Sequence, residues 1–216
     1  WRTMNPPLLV VDPSPPVVVP SPAPSGEPGP AVIEVEPEIV FSDFEAADLS
    51  ALVTGPDGAP YVLDGATATV YRIDVAGNQA VPVYRAGERV GGTSTGAPRH
   101  LAVAAQDVLM LDDGNKLWRW RSDEPVAERR LEEVRVAQAT SWGQDVLGIG
   151  TYLRDAETGL YNLYVVDPSE RQILRYSPAA DGSGFPAAAS AYLEASRDLT
   201  QATALHVDGD VYLAVD

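Results

Sequence analysis

Four aspartates recur along the chain, and each ends a short run of mostly apolar residues. Successive aspartates are 48, 55 and 49 residues apart. The segments are Tyr61-Val62-Leu63-Asp64, Leu109-Met110-Leu111-Asp112, Tyr164-Val165-Val166-Asp167 and Leu213-Ala214-Val215-Asp216. Carboxylates at equivalent places around a ring could gather calcium, a hard cation that prefers oxygen ligands. Alternatively, each aspartate accepts backbone N–H bonds in its turn and pairs with the arginine of the next strand. Repetition in every unit favours this structural role.

Other candidates for chemistry are few. Cysteine is absent, so the chain has neither a disulfide framework nor a thiolate. His100 and His206 fall at corresponding places in two units, where they either meet near a central channel as metal ligands or are ordinary strand residues. The nucleophile elbow, zinc-protease, P-loop and dinucleotide motifs do not occur. We assign no catalytic, cofactor-binding or metal-binding residue, and calcium stays an open question.

The residues around each aspartate predict the elements that carry it. Turn formers such as Asp113-Gly114-Asn115 follow the aspartate, and a second apolar run with Arg72, Arg119 or Arg175 comes next. Another strand precedes each aspartate. We expect a fourth strand at residues 80–84 and at residues 126–134. Four antiparallel strands per unit are typical of a β-propeller blade.

The sequence therefore predicts an all-β fold, a partial β-propeller of about three and a half four-stranded blades after a Pro-rich extended segment. Residues 1–30 are the Pro-rich linker. Residues 31–216 hold the blades: 48–95, 96–134, 135–196 and, as the first half of a fourth, 197–216. Residues 31–45 form a strand that closes the ring or lies outside it. We expect a fragment of a longer protein; the alternatives are a ring completed by a second copy and an open arc.

The spacing of the motif resembles six-bladed propeller repeats of the NHL and YWTD type. The first and third aspartates are each followed by an aliphatic residue six positions later and an arginine eight positions later; after the second aspartate, both come one residue earlier. The matching residues are Asp64 with Val70 and Arg72, Asp112 with Leu117 and Arg119, and Asp167 with Ile173 and Arg175. The resemblance covers about residues 48–216. It implies a ring that binds proteins, glycans or small ligands, and some related propellers are calcium-dependent lactonases or other hydrolases.

The third unit departs from the others because its first hairpin is several residues longer. The turn 155–159 (Asp-Ala-Glu-Thr-Gly) indicates a protruding β-hairpin. Insertions on a repeat scaffold tend to lie on the binding face, and tyrosines offer amphipathic contact surface when they are exposed. The candidate binding residues are Tyr152, Asp155, Glu157, Tyr161 and Tyr164. A longer loop without a function is the alternative.

Charge restricts the partners. The formal net charge is −16, with 15 basic residues against 31 acidic ones. Nucleic-acid binding draws on clustered Lys and Arg, so we expect no nucleic-acid partner. We expect a non-enzymatic binding or scaffold module outside the cytoplasm, in the cell envelope or secreted, with a protein partner or a small ligand and a membrane tether N-terminal to this chain. A calcium-dependent propeller hydrolase and a subunit of a larger complex are the alternatives.

Overall fold

The computed structural model describes residues 9–11, 46–128, 130–143 and 145–215. The predicted strand at 31–45, Asp216 and all of the Pro-rich segment except residues 9–11 lie outside the described residues. Within the described part, all regular elements are β-strands except two short 3-10 turns, Val126–Glu128 and Ala139–Ser141. The predicted all-β class is confirmed.

The first blade is a four-stranded antiparallel sheet in chain order. Its strands are β2 (Leu49–Thr54), β3 (Pro60–Asp64), β4 (Thr69–Asp74) and β5 (Gln79–Arg85). The predicted outer strand at 80–84 is therefore confirmed. Turns with positive φ at Gly58, Ala68 and Asn78 reverse the chain between the strands. A small hairpin, β6 (Arg89–Val90) and β7 (Thr93–Ser94), then leads to the next blade.

The second blade repeats this order and gains a fifth strand. Its own strands are β8 (Pro98–Ala104), β9 (Asp107–Asp112), β10 (Leu117–Arg121) and β11 (Glu132–Val136). The predicted outer strand at 126–134 was placed too early. Pro125 starts a 3-10 turn there, in which the Glu128 N–H donates to the Pro125 carbonyl oxygen over 2.8 Å. Proline lacks the N–H that a strand ladder needs, so the strand begins after the turn.

The third blade carries the longer first hairpin that the sequence predicts. β12 (Gly148–Asp155) and β13 (Leu160–Asp167) have eight residues each, and β14 (Gln172–Tyr176) and β16 (Ser190–Ala191) complete the sheet. Between β14 and β16, the chain crosses back to the second blade. There, β15 (Gly184–Phe185) pairs in parallel with β11. A segment of the third repeat thus extends the sheet of the second.

The fourth unit contributes two antiparallel strands, β17 (Ala202–Val207) and β18 (Val211–Val215). The second edge of β18 pairs in parallel with β1 (Leu9–Val11), a strand from within the Pro-rich segment. The described part of the chain thus holds three complete blades and the first two strands of a fourth.

The first strands of successive blades lie beside one another, β2 against β8, β8 against β12 and β12 against β17. Sheets stacked around their first strands are the arrangement of a propeller. The partial propeller is therefore confirmed. Gly150 permits the close approach of β12 to β17, because a Cβ at this position would lie 2.8 Å from Val207 Cγ2.

Three apolar clusters hold the blades together, one at each junction between neighbouring sheets. β9 shows how the sequence builds them. Its Val108 and Met110 face the first blade, and its Leu109 and Leu111 face the third. Alternate residues of a strand point to opposite faces, so a strand buried on both sides reads as a continuous apolar run.

Candidate functional site

A pocket of about 540 Å³ lies between the second and third blades. One wall is the turn of the β12–β13 hairpin, residues 156–159. The facing wall is the loop between β14 and β15, residues 178–184. The base is formed by the start of β9 and by β10, and Leu153 and Phe185 add apolar surface. The pocket thus combines segments from two blades.

The base of the pocket is a buried polar network. The Tyr161 hydroxyl donates to Asp107 Oδ2 over 2.7 Å. The Arg119 guanidinium donates to the same oxygen over 3.3 Å, to the Gly182 carbonyl oxygen over 2.9 Å and to Glu132 Oε1 over 2.6 Å. Asp107 is 7% exposed and Tyr161 is 6% exposed. The network joins β9, β10 and β11 of the second blade to β13 and the loop of the third.

The environment of the network fixes its charges. Burial, together with the negative charge of Asp107, raises the pKa of Tyr161, so the phenol stays neutral and donates its proton. Burial alone would lower the pKa of Arg119, but the carboxylates of Asp107 and Glu132 raise it above its ordinary value. Asp107 therefore receives two hydrogen bonds on Oδ2, one of them from a permanent cation.

Each wall of the pocket is held by local bonds. In the hairpin turn, Asp155 accepts hydrogen bonds from the Glu157 N–H over 2.9 Å and from the Thr158 hydroxyl over 2.7 Å, and these bonds lower its pKa. In the opposite loop, Gly184 has a φ of +153°, and a Cβ there would lie 2.5 Å from the Arg135 carbonyl oxygen. Only glycine allows β15 to approach β11 this closely.

The five predicted binding residues occupy different places. Glu157 and Tyr161 line the pocket, and Asp155 stabilises the turn that carries Glu157. Tyr152 is 40% exposed, beside the turn at Gly209. Tyr164 is 5% exposed and packs edge-to-face against Tyr192 in the third cluster. We expected tyrosines to offer contact surface where they are exposed. Tyr152 is exposed, whereas the rings of Tyr161 and Tyr164 are buried.

Several pocket residues did not emerge from the sequence. Asp107, Arg119 and Arg121 come from the second blade, and Asp181 and Gly182 come from the loop before β15. The Asp-Gly-Ser-Gly run at 181–184 is typical of turns and indicates that this connection has a defined shape. The pocket residues come together only when the two blades pack, and no local sequence pattern encodes that packing.

The repeated aspartates have a structural role. Asp112 accepts bonds from the backbone N–H groups of Gly96, Gly114 and Lys116, and from Trp118 Nε1, over 2.8–2.9 Å. Asp64 and Asp167 likewise hold the chain that enters their blade and the turn that follows them. Burial alone would raise the pKa of Asp64, but hydrogen bonds from Thr67 and from the Asp48 and Ala66 N–H groups lower it. Acceptance of backbone N–H bonds is confirmed.

The predicted pairing of these aspartates with the arginines of the next strand is wrong. Arg72 pairs with Asp57 and Arg119 pairs with Asp107 and Glu132. The strand register explains the error: Asp64 lies opposite Thr69, whereas Arg72 lies opposite Tyr61, at the far end of the hairpin. An arginine eight residues after the aspartate therefore lies at the other end of the antiparallel pair, near the turn that precedes the strand of the aspartate.

Neither histidine belongs to a metal cluster in the described part of the chain. His100 Nε2 lies 2.8 Å from the Val146 carbonyl oxygen, and His206 contacts Tyr212 and lies 3.8 Å from Asp208 Oδ2. Groups of three or more His, Cys, Asp or Glu side chains that could hold a metal ion do not occur among the described residues.

In the part of the chain that the structure describes, no helix is long and apolar enough to span a bilayer.

Comparisons with known proteins return structural similarity alone. Neither the family models nor the curated proteins contain a match. Among solved structures, the chain is similar to a streptogramin B lyase, with 13% identity, a TM-score of 0.45 and coverage of 76% of this chain and 47% of that one. It is also similar to selenomethionine-substituted virginiamycin B lyase from Staphylococcus aureus, with 11% identity, a TM-score of 0.47 and coverage of 77% and 48%. A catalytically inactive variant of the Staphylococcus aureus enzyme with quinupristin gives 9% identity, a TM-score of 0.47 and coverage of 76% and 47%.

The chain spans about half the length of these solved structures. The assignment of propeller blades depends on the strand order and on the contacts between first strands described above. The narrower resemblance to NHL and YWTD repeats stays a prediction.

Proposed function

We propose that this chain is a binding module and that its ligand occupies the pocket between the second and third blades. The observation that carries the proposal is the buried Tyr161–Asp107–Arg119 network at the base of a cavity of about 540 Å³. Ligand pockets are concave and mostly apolar, with a few fixed polar groups that orient the ligand. This pocket is concave and its polar groups are held by bonds to both blades, but polar surface exceeds apolar surface in its lining, which favours a polar ligand.

The charges around the pocket favour a ligand that donates hydrogen bonds. Asp107, Glu157 and Asp181 line it from three separate chain segments. The two arginines of the lining are already engaged: Arg119 binds Glu132 and Asp107, and Arg121 binds both carboxylate oxygens of Asp123 over 3.0–3.2 Å. Acceptors therefore exceed free donors in the pocket. We expect ammonium or hydroxyl groups on the ligand, and an aliphatic portion against Leu153 and Phe185.

Amide-resolved NMR with three probes of equal length tests the proposal. Diaminopentane, pentanediol and glutarate offer a cation, a neutral donor and an anion on the same carbon chain. We expect saturable shifts in residues 105–107, 156–161 and 180–184, strongest with the diamine and absent with glutarate. Shifts distributed over the whole surface, or no shifts with any probe, would refute the binding site.

Paired variants separate the pocket from general electrostatics. Glu157→Gln removes one carboxylate from the wall, and Glu170→Gln removes an exposed carboxylate from the turn at the opposite end of β13. Both make the net charge less negative by one unit, from −16 to −15. We expect Glu157→Gln to weaken diamine binding about 1.5- to 5-fold, as for an exposed ion pair, and Glu170→Gln to leave it unchanged. Equal effects would indicate non-specific attraction to an acidic protein.

The alternative functions have less support. A calcium-dependent hydrolase needs converging oxygen ligands, and the repeated aspartates that could have supplied them are occupied by backbone N–H groups. A partner protein that contacts Leu153 in the pocket or Tyr152 beside the turn at Gly209 is compatible with the proposal, because both side chains are 40% exposed. No specific observation favours it over a small ligand.

A further inference from the structure

Beside the ligand pocket of the second and third blades lies a second cavity of about 280 Å³. Its walls are residues 54–56 of the first blade, residues 103–105 of the second, and Thr151 and Leu153 of the third. These residues belong to the first strands β2, β8 and β12, or to the turns that directly follow β2 and β8. We call this space the inner cavity.

The ligand pocket and the inner cavity meet at Ala105 and Leu153, which line both. The junction is narrow. The turn residue Gly159 has no side chain, and a Cβ there would lie 3.5 Å from the Ala105 Cβ, an ordinary van der Waals separation. Leu153 is 40% exposed and adds apolar surface. A gap bounded in this way accepts an unbranched methylene chain more readily than a ring.

The two cavities differ in chemistry. Five charged residues line the ligand pocket, where polar surface exceeds apolar surface. Among the described residues that line the inner cavity, none is charged, and apolar surface exceeds polar surface there. Full burial of one methylene group corresponds to about a 4-fold gain in affinity. The pair of cavities therefore suits a ligand with a polar head and an aliphatic tail.

Hydrogen bonds hold the walls of the inner cavity in place. The Thr151 hydroxyl donates to the Val103 carbonyl oxygen, which joins the third blade to the second. In the turn between β2 and β3, the Asp57 carboxylate accepts a hydrogen bond from Arg72 Nε over 2.8 Å. A site whose walls are fixed before binding loses little conformational freedom when the ligand enters, and this favours affinity.

We propose that the inner cavity is a tail subsite of the ligand pocket, and that the ligand class is an amine with an unbranched aliphatic chain. The ammonium group lies among the carboxylates of Asp107, Glu157 and Asp181. The chain crosses the junction at Ala105 and Leu153 into the inner cavity. The subsite rests on the proposed function, because the pocket must first bind the ammonium group.

Amide-resolved NMR titration with butylamine and octylamine tests the tail subsite, because the two probes share one head group and differ only in chain length. We expect both amines to shift residues 105–107 and 156–161. Octylamine alone should also shift the amides of Thr54 and Gly55. It should bind at least about 10-fold more tightly than butylamine, as for partial burial of its four additional methylenes. Octanoate is the control for non-specific adsorption of the tail and should give no saturable shifts at Thr54.

A matched pair of variants separates the subsite from general attraction to apolar surface. Thr54→Arg places a charged side chain at the wall of the inner cavity, and Thr203→Arg places the same side chain on β17, outside the lining of both cavities. Both threonines are exposed, so both variants should fold. The readout is the ratio of octylamine affinity to butylamine affinity, in which the effect of the added charge on the head group cancels. We expect Thr54→Arg to lower this ratio at least about 3-fold, the loss of roughly one buried methylene, and Thr203→Arg to leave it unchanged.

The outcomes distinguish the subsite from the pocket. Absence of shifts at residues 105–107 with both amines would refute the ligand pocket, and the tail subsite with it. Butylamine binding in the pocket without tighter binding of octylamine, or without octylamine shifts at Thr54 and Gly55, would overturn the subsite alone. An unchanged affinity ratio in Thr54→Arg, or an equal fall in both variants, would also overturn it, because the tail would then bind to other apolar surface.

Discussion

The Tyr161 hydroxyl of the third blade donates a 2.7 Å hydrogen bond to the Asp107 carboxylate of the second. Both groups are buried, and the Asp107 charge is offset by Arg119. This contact fixes the longer hairpin of the third blade against its neighbour. Together with the Arg119 bond to the Gly182 carbonyl oxygen, it joins the two blades at the base of the pocket, and removing it tests both stability and binding.

Tyr161→Phe is expected to lower the free energy of unfolding by about 2 kcal/mol, because a buried hydrogen bond to a charged group is lost while the ring remains. Denaturant titration measures the change. Tyr152→Phe is the matched control, since Tyr152 is 40% exposed, and it should change stability by less than about 0.5 kcal/mol. Equal losses of unfolding free energy in the two variants would show that the hydrogen bond from Tyr161 to Asp107 contributes no more to stability than an exposed hydroxyl does.

Asp112→Ala is expected to cost about 3 kcal/mol or more, because four donors lose their acceptor and each buried orphan donor costs about 1–3 kcal/mol. The neighbouring Asp113→Ala removes one exposed carboxylate that accepts from the Ala97 N–H, and should cost less than about 1 kcal/mol. Thermal and denaturant unfolding compare the two. If Asp112→Ala proved as stable as Asp113→Ala, the aspartate repeat would not be structural.

Gly184→Ala is expected to detach β15 from β11. The new Cβ would meet the Arg135 carbonyl oxygen, and the φ of +153° disfavours alanine. We expect a loss of about 2 kcal/mol and faster hydrogen exchange at the Ala137 amide, which donates to the Phe185 carbonyl oxygen. Gly87→Ala is the control, because Gly87 also has a positive φ (+80°) but a Cβ there would lie more than 4 Å from the atoms around it. Faster exchange at Ala137 in both variants would argue against the Arg135 contact.

Acidification is expected to weaken the junction at His100. Burial lowers the pKa of His100, and the nearby Arg99 charge lowers it further, against the hydrogen bond to the Val146 carbonyl oxygen. A histidine whose pKa is lowered on folding binds its proton more tightly when unfolded. Its contribution to stability is therefore complete above an unfolded pKa of about 6.5 and decreases as the pH falls below that value.

Comparison of the wild type with His100→Gln isolates this effect from the titration of carboxylates. The free energy of unfolding is measured at about pH 7.5 and about pH 5, on either side of the unfolded pKa. We expect the wild type to lose more stability than His100→Gln over this interval. An equal loss in both proteins would assign the pH dependence to other groups.

The second strands of the blades could be predicted from sequence because they are buried on both faces. Their continuous apolar runs and their terminal aspartates, such as Asp64 and Asp112, are local signals. The length of the β12–β13 hairpin is local too, and it led to Glu157 and Tyr161. The partners of Tyr161 could not be predicted, because Asp107 and Arg119 come from another blade and only packing brings them near.

A short strand and an ion pair show the same limit of prediction from the sequence. β15 has two residues and no periodicity, so no pattern distinguishes it from a loop. The aspartate–arginine pairing was wrong because spacing along the sequence does not report strand register. Arg72 reaches Asp57 since the antiparallel ladder sets its neighbours.

β15 belongs to the third repeat by sequence and to the second blade by hydrogen bonding. Recombination that shuffles whole repeats at their sequence boundaries would consequently strip a strand from one module and leave an unmatched one in the next. The two modules are thus expected to be inherited as a pair, and grafts of this region onto other scaffolds should carry residues 98–191 together.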